Sequence, residues 1–237
     1  RWYNDIYDFS EGFAKVELDG KWGYIDTTGR QICSCKYDFA YGFSDGLASV
    51  ELNGKWGYID KTGKEVIPCK YDYVGNFSEG LTKVELNNKY GYIDKTGREV
   101  IPYKYDWAED FSERLAVVKL NGKYGCIDKT GREVIPYKYD YIVDFKDGLA
   151  KVELNAKMGI IDKTGREVIP CIYNFVGSFE DGLAKVKLNR KWGYIDKHGN
   201  WYDKKPSILP ESITKITISD IRYMVNECIN QLNYGKI

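Results

Sequence analysis

The feature that most limits what this chain can become is a period. Trp22-Gly23 recurs as Trp56-Gly57, Tyr90-Gly91, Tyr124-Gly125, Met158-Gly159 and Trp192-Gly193, each pair 34 residues beyond the last. The same interval carries Phe9 to Phe43, Phe77, Phe111, Phe145 and Phe179, and Tyr3 to Tyr37, Tyr71, Tyr105, Tyr139 and Tyr173. No insertion interrupts any copy. A fixed period of this length marks a repeat architecture, in which one unit cannot bury its apolar face alone and neighbours must stack.

Within a unit, residues 81–94 form two alternating runs around Asn87-Asn88, and other copies place Asp19-Gly20, Asn53-Gly54, Asn121-Gly122, Asn155-Ala156 and Asn189-Arg190 at that link. Asn-Gly and Asp-Gly tolerate positive φ at both corners of a type I′ turn, so a two-residue hairpin is expected. That turn sets Val84 opposite Gly91 and Thr82 opposite Ile93 on a small, aliphatic core face. It sets Glu85 opposite Tyr90 and Lys83 opposite Tyr92 on a half-exposed face. The glycine is expected where backbones or rings approach too closely for a side chain.

A second turn, Asp60-Lys61-Thr62-Gly63 and its equivalents, uses an aspartate that can bond the backbone two residues on and a glycine for the left-handed corner. A short strand, Glu65-Val66-Ile67, follows and should end at Pro68. The expected fold is therefore all-β: six three-stranded β-meander repeats over residues 1–203, with Tyr71-Asp72 and Phe77 in the link between units. An open, solenoid-like array is favoured over a closed six-bladed ring. A propeller blade usually has four strands and about 40 to 50 residues, and both chain ends are irregular: Cys33-Ser34 replaces Ile-Pro in the first copy and Trp201-Tyr202 the usual strand in the last.

The run Lys55-Trp56-Gly57-Tyr58-Ile59-Asp60-Lys61-Thr62-Gly63-Lys64-Glu65-Val66-Ile67-Pro68 resembles the WG, or KWG, repeat of bacterial proteins, and Phe43-Ser44-Asp45-Gly46-Leu47-Ala48 carries its preceding signature. The resemblance covers residues 1 to about 203. It implies a β-rich array used for interaction and brings no catalytic residues. Departures fall at Arg114, where other copies have glycine, and at Met158 and Ile160, where the aromatic pair is lost.

Composition narrows the function classes. Lysine plus arginine and aspartate plus glutamate number 35 each, so no general attraction for nucleic acid or anionic membrane is expected. No stretch of about 20 apolar residues is present. The six cysteines, Cys33, Cys35, Cys69, Cys126, Cys171 and Cys228, match neither a disulfide framework nor a zinc module. Reduced thiols in a soluble cytoplasmic protein are the simpler expectation, although the chain begins at Arg1.

After Asp203 the pattern changes. Residues 204–218 read as a linker, and residues 219–234 as an amphipathic helix capped at Ser219-Asp220, with Ile221, Met224, Val225, Cys228, Ile229 and Leu232 on one face. Ile221, Met224, Val225, Cys228 and Leu232 are its candidate docking face, either as a cap on the last repeat or toward a partner.

Chemistry-bearing clusters are few. His198 is the single histidine and occupies a turn position, which removes multi-histidine metal centres. The aspartates Asp26, Asp60, Asp94, Asp128, Asp162 and Asp196 are read as turn formers in preference to a calcium ladder, because the adjacent lysines oppose a cation. No metal, cofactor or catalytic residue is expected. The main functional lead is an aromatic stripe of Trp22, Trp56, Tyr90, Tyr124 and Trp192 with Tyr24, Tyr58, Tyr92 and Tyr194. It serves packing between units or, where exposed, a protein partner or stacked sugar rings.

Overall fold

The computed structural model describes residues 3–143 and 145–206, and among them every regular element is a strand. The expected linker beyond residue 206 and the helix over residues 219–234 lie outside the described residues. Six four-stranded antiparallel sheets occur among the described residues, each joining strands in chain order. The chain divides into two compact units between Tyr173 and Asn174, the first holding five sheets and the second one. The sheets span residues 5–37, 39–71, 73–105, 107–139, 141–173 and 175–202.

The third sheet shows the pattern, with strands Tyr73–Val74, Leu81–Leu86, Lys89–Asp94 and Glu99–Tyr105. Its central hairpin has the expected register, Val84 opposite Gly91, Thr82 opposite Ile93, Glu85 opposite Tyr90 and Lys83 opposite Tyr92. Asn87 and Asn88 take φ of 54° and 61°, the left-handed corners of a type I′ turn.

Three strands per unit is corrected to four. The segment between units contributes the two-residue strand Tyr73–Val74, paired with Glu85 and Val84. A second tight turn follows it, where Ser78 and Leu81 exchange backbone bonds at 2.8 and 3.1 Å around Glu79 and Gly80, both at positive φ. Four-stranded sheets have the strand count of propeller blades, so the strand-count argument for an open array no longer stands.

Pro68 does not end its strand either, because Glu65–Tyr71 continues through it. Between the pairs Tyr58–Ile67 and Trp56–Tyr71 the fourth strand makes a bulge with Pro68 exposed, a place where a missing N–H costs no ladder bond. This bulge explains the glycine of each Trp-Gly pair. A Cβ on Gly57 would stand 2.4 Å from the Ile67 carbonyl oxygen and 2.7 Å from the Cys69 nitrogen.

In the five-sheet unit the second, third and fourth sheets bury both faces. The aliphatic face of one sheet packs on the Tyr–Ile face of the sheet before it, so Tyr92, Ile101 and Tyr105 of the third sheet cluster with Ala108, Phe111, Ala116, Val118 and Ile127 of the fourth. The same assembly joins the first sheet to the second, the second to the third and the fourth to the fifth. Wholly buried isoleucines such as Ile93 and Ile101 each contribute about 2 kcal/mol of transfer free energy.

Candidate aromatic face

The expected stripe divides into two columns with different fates. Tyr24, Tyr58 and Tyr92 are buried, which corrects the half-exposed face expected for them. The following sheet covers them, and their hydroxyls donate to the carbonyls of Tyr41, Gly75 and Glu109 at 2.6, 2.5 and 2.7 Å. Burial pushes the Tyr58 phenol well above the ordinary tyrosine range. These tyrosines fasten sheet to sheet.

The column two residues earlier behaves differently. Trp22, Trp56, Tyr90 and Tyr124 lie near the hairpin end of each sheet and are half-buried. Burial, reinforced by Glu85, pushes the Tyr90 phenol up to about 12. In the sixth sheet Trp192 is exposed and Tyr194 half-buried.

A further column of exposed rings is one that pattern reading missed: Phe39, Tyr73, Trp107 and Tyr141, on the two-residue strands, with Phe175 in the sixth sheet. They recur every 34 residues directly after Tyr-Asp or Tyr-Asn, so the signal was present. In the five-sheet unit the two columns interleave. Ring centroids stand 6.0 Å apart for Trp22 and Phe39, 6.0 Å for Phe39 and Trp56, 6.5 Å for Tyr73 and Tyr90, 5.5 Å for Tyr90 and Trp107, and 5.4 Å for Tyr124 and Tyr141. These separations are those of edge-on and offset aromatic pairs.

Polar residues hold the frame of this face. Lys55 pairs with Asp72, whose other oxygen accepts the Asn87 N–H at 2.8 Å, so one carboxylate ties the hairpin of the second sheet to the hairpin of the third. Lys89 and Asp106 repeat the pairing at 2.5 Å. At the opposite turns Glu79 accepts the Arg114 N–H at 3.1 Å and pairs with Lys129 at 2.9 Å. Asp60 Oδ1 accepts the Thr62 hydroxyl at 2.6 Å and the N–H groups of Thr62 and Lys64 at 2.9 and 3.1 Å. The Thr62 hydroxyl is the main cause holding that carboxyl below its usual range. The aspartate column therefore works in its turns, and His198 sits in the last of them, its N–H donating to Asp196 at 2.9 Å.

A family model described as "WG containing repeat" matches residues 3–22, 22–56, 56–90, 90–124, 124–157 and 158–192. The chain belongs to the WG-repeat family. No curated protein matches the sequence. Among solved structures, this WG-repeat chain is similar to Hsv2p of Kluyveromyces lactis, at 11% identity and a TM-score of 0.43, with 90% of this chain and 80% of that one covered. It is similar to BamB of Moraxella catarrhalis at 12% identity and a TM-score of 0.42, covering 81% and 70%. A eukaryotic initiation factor matches at 10% identity and a TM-score of 0.50, covering 86% and 68%. At these identities the likeness is of fold alone. Among the described residues of the WG repeats no group of three or more His, Cys, Asp or Glu side chains is placed to hold a metal, and no helix is long and apolar enough to cross a membrane.

Proposed function

We propose that the repeats form a non-catalytic scaffold that binds a protein partner on the aromatic face. The observation that carries this reading is the interleaved stripe, in which Phe39, Tyr73, Trp107 and Tyr141 are 38% to 51% exposed beside the half-buried Trp22, Trp56, Tyr90 and Tyr124. Aromatic rings on a rigid backbone give large contact area at little cost in side-chain entropy, the profile of interface anchors. The ion-paired frame at the hairpin ends supplies a polar rim around them.

The direct test replaces Phe39, Tyr73, Trp107 and Tyr141 together with serine. Because all four are exposed, circular dichroism and the melting temperature should stay close to the parent's. Crosslinking in the source cells should then lose the partner captured by the parent chain. Retention of every captured partner by the folded four-serine variant would sink the reading. The same exposed rings also suit stacked sugars, and saturable binding on a glycan array, abolished in the four-serine variant, would favour a carbohydrate-binding module instead.

A further inference from the structure

Successive sheets leave a groove between them at the aromatic face, and one repeat position controls what fills it: Lys15, Ser49, Lys83 and Val117 in the first four sheets. Between the first and second sheets the Lys15 ammonium lies 4.6 Å from the ring centroids of both Tyr7 and Trp22 and 5.7 Å from that of Phe39. It also donates to the Ala40 carbonyl at 3.4 Å. Between the third and fourth sheets the nearly buried Lys83 reaches Glu109 at 3.3 Å and Asp110 at 3.6 Å, with the Trp107 ring 5.9 Å away. Where the position is Ser49, the Tyr41 ring stacks on Trp56 at 5.7 Å.

The groove between the fourth and fifth sheets differs. Val117 is too short to cross it, and a space of about 280 Å³ remains, lined among others by Trp107, Tyr124, Tyr141, Glu109, Val117 and Ile142. Lys119, two residues along, lies 5.1 Å from the Tyr124 centroid, so that ring already carries a cation. Trp107 and Tyr141 are the exposed rings of the groove. Glu109 accepts the Trp107 indole N–H at 2.9 Å and shares Lys83 with Asp110, so two carboxylates meet one ammonium at this corner.

We propose that this groove receives a lysine side chain of a partner polypeptide, its ammonium beside Trp107, Tyr141 and Glu109, in the place that Lys15 and Lys83 fill from within the chain in their own grooves. The inference rests on the protein-scaffold reading and names the chemistry of the partner. Ring faces and a carboxylate attract a cation, and the aliphatic stem of lysine covers the Val117 and Ile142 surface. Lys83 balances only one of the Glu109 and Asp110 carboxylates, so a wholly apolar side chain would leave the second negative charge at this corner without a counter-charge.

The test uses the whole chain and two peptides, acetyl-Gly-Lys-Gly-amide and its norleucine counterpart, with the Trp107 indole N–H followed by NMR and assigned through Trp107→Phe. The lysine peptide should move that signal saturably, and the norleucine peptide should bind about tenfold more weakly, the size of a favourable cation–π and ion-pair contribution. Val117→Lys, which supplies the chain's own ammonium, should abolish the response, and Glu109→Gln should weaken it several-fold. If Val117→Lys does not fold, Val117→Met fills the same space without charge and should also block the peptide. Equal binding of both peptides, no saturable movement with either, or an unchanged response in the filled-groove variants would each overturn the proposal. A partner lost by the four-serine variant yet kept by Val117→Lys would leave the scaffold reading standing and this one refuted.

Discussion

The third and fifth sheets share a register and little of the chemistry around it. Val84 faces Gly91 and Leu86 faces Lys89 in one, and Val152 faces Gly159 and Leu154 faces Lys157 in the other. Yet where the third sheet has Tyr90 and Tyr92 the fifth has Met158 and Ile160, and its hairpin corner is Asn155-Ala156 in place of Asn87-Asn88. The corner angles barely differ, with φ of 52° and 58° against 54° and 61°. Identical pairing under different side chains means that the backbone sets the register. Two left-handed corner residues and one glycine beneath the bulged fourth strand are common to both sheets, and the aromatic rings are not.

The largest expected effect tests that claim directly. A Cβ on Gly91 would stand 2.6 Å from the Ile101 carbonyl oxygen, and one on Gly159 equally 2.6 Å from that of Ile169. Gly91→Ala and Gly159→Ala should each destabilise by about 3 kcal/mol, the upper range for overpacking against backbone. Denaturant midpoints for the two variants should fall together. A mild effect at Gly159 alone would show that the fifth sheet takes its register from something else.

The next effect separates the sheets. Tyr92 donates a partly buried hydrogen bond to the Glu109 carbonyl at 2.7 Å, for which Ile160 has no hydroxyl. Tyr92→Phe leaves that carbonyl short of a partner and should cost about 1 to 2 kcal/mol. Ile160→Val, at the equivalent buried site, removes one methyl group and should cost about 1 kcal/mol. Equilibrium unfolding of both variants checks the order, which reverses, with Ile160→Val the costlier change, if the tyrosine hydroxyl contributes nothing.

These contrasts also show which features were legible in the sequence. The Asn-Asn and Asn-Gly corners and the alternation beside them led to the pairing of Val84 with Gly91, because turn chemistry and a two-residue side-chain period act locally. Strands as short as Tyr73–Val74 carry no period at all, and they exist only because Glu85 and Val84 lie alongside, so counting strands stopped at three. The same limit misplaced Tyr24, Tyr58 and Tyr92. Alternation separates two faces of a sheet, but only the neighbouring sheet decides that both are covered. Phe39, Tyr73, Trp107 and Tyr141 are readable by their spacing, but a two-residue strand has no alternation to distinguish the segment holding them from a link.

A smaller effect concerns the corner itself. Ala156 holds a φ of 58°, a conformation in which its Cβ crowds the backbone, whereas asparagine at Asn88 tolerates it better. Ala156→Gly should stabilise the chain by about 0.5 to 1 kcal/mol, and Asn88→Gly by less. Should the two substitutions raise the melting temperature equally, the side chain at the second corner residue has no bearing on the turn.

The smallest effects lie in the carboxylates that tie the hairpins together, where the two sheets are alike. Asp72 pairs with Lys55 and accepts the Asn87 N–H at 2.8 Å, and Asp140 pairs with Lys123 and accepts the Asn155 N–H at 2.6 Å. Both lysines are nearly half exposed, so solvent screens the ion pairs, and Lys55→Met or Lys123→Met should cost less than about 0.5 kcal/mol and fade further in salt. Asp72→Ala and Asp140→Ala also remove the acceptor that fixes a left-handed corner, and should lower the denaturant midpoint further than the lysine variants do, with little dependence on salt. A double-mutant cycle in low and high salt separates the two contributions. If the aspartate variants cost no more than the lysine variants, the corner bond is irrelevant to register, and the turn residues alone hold both sheets in line.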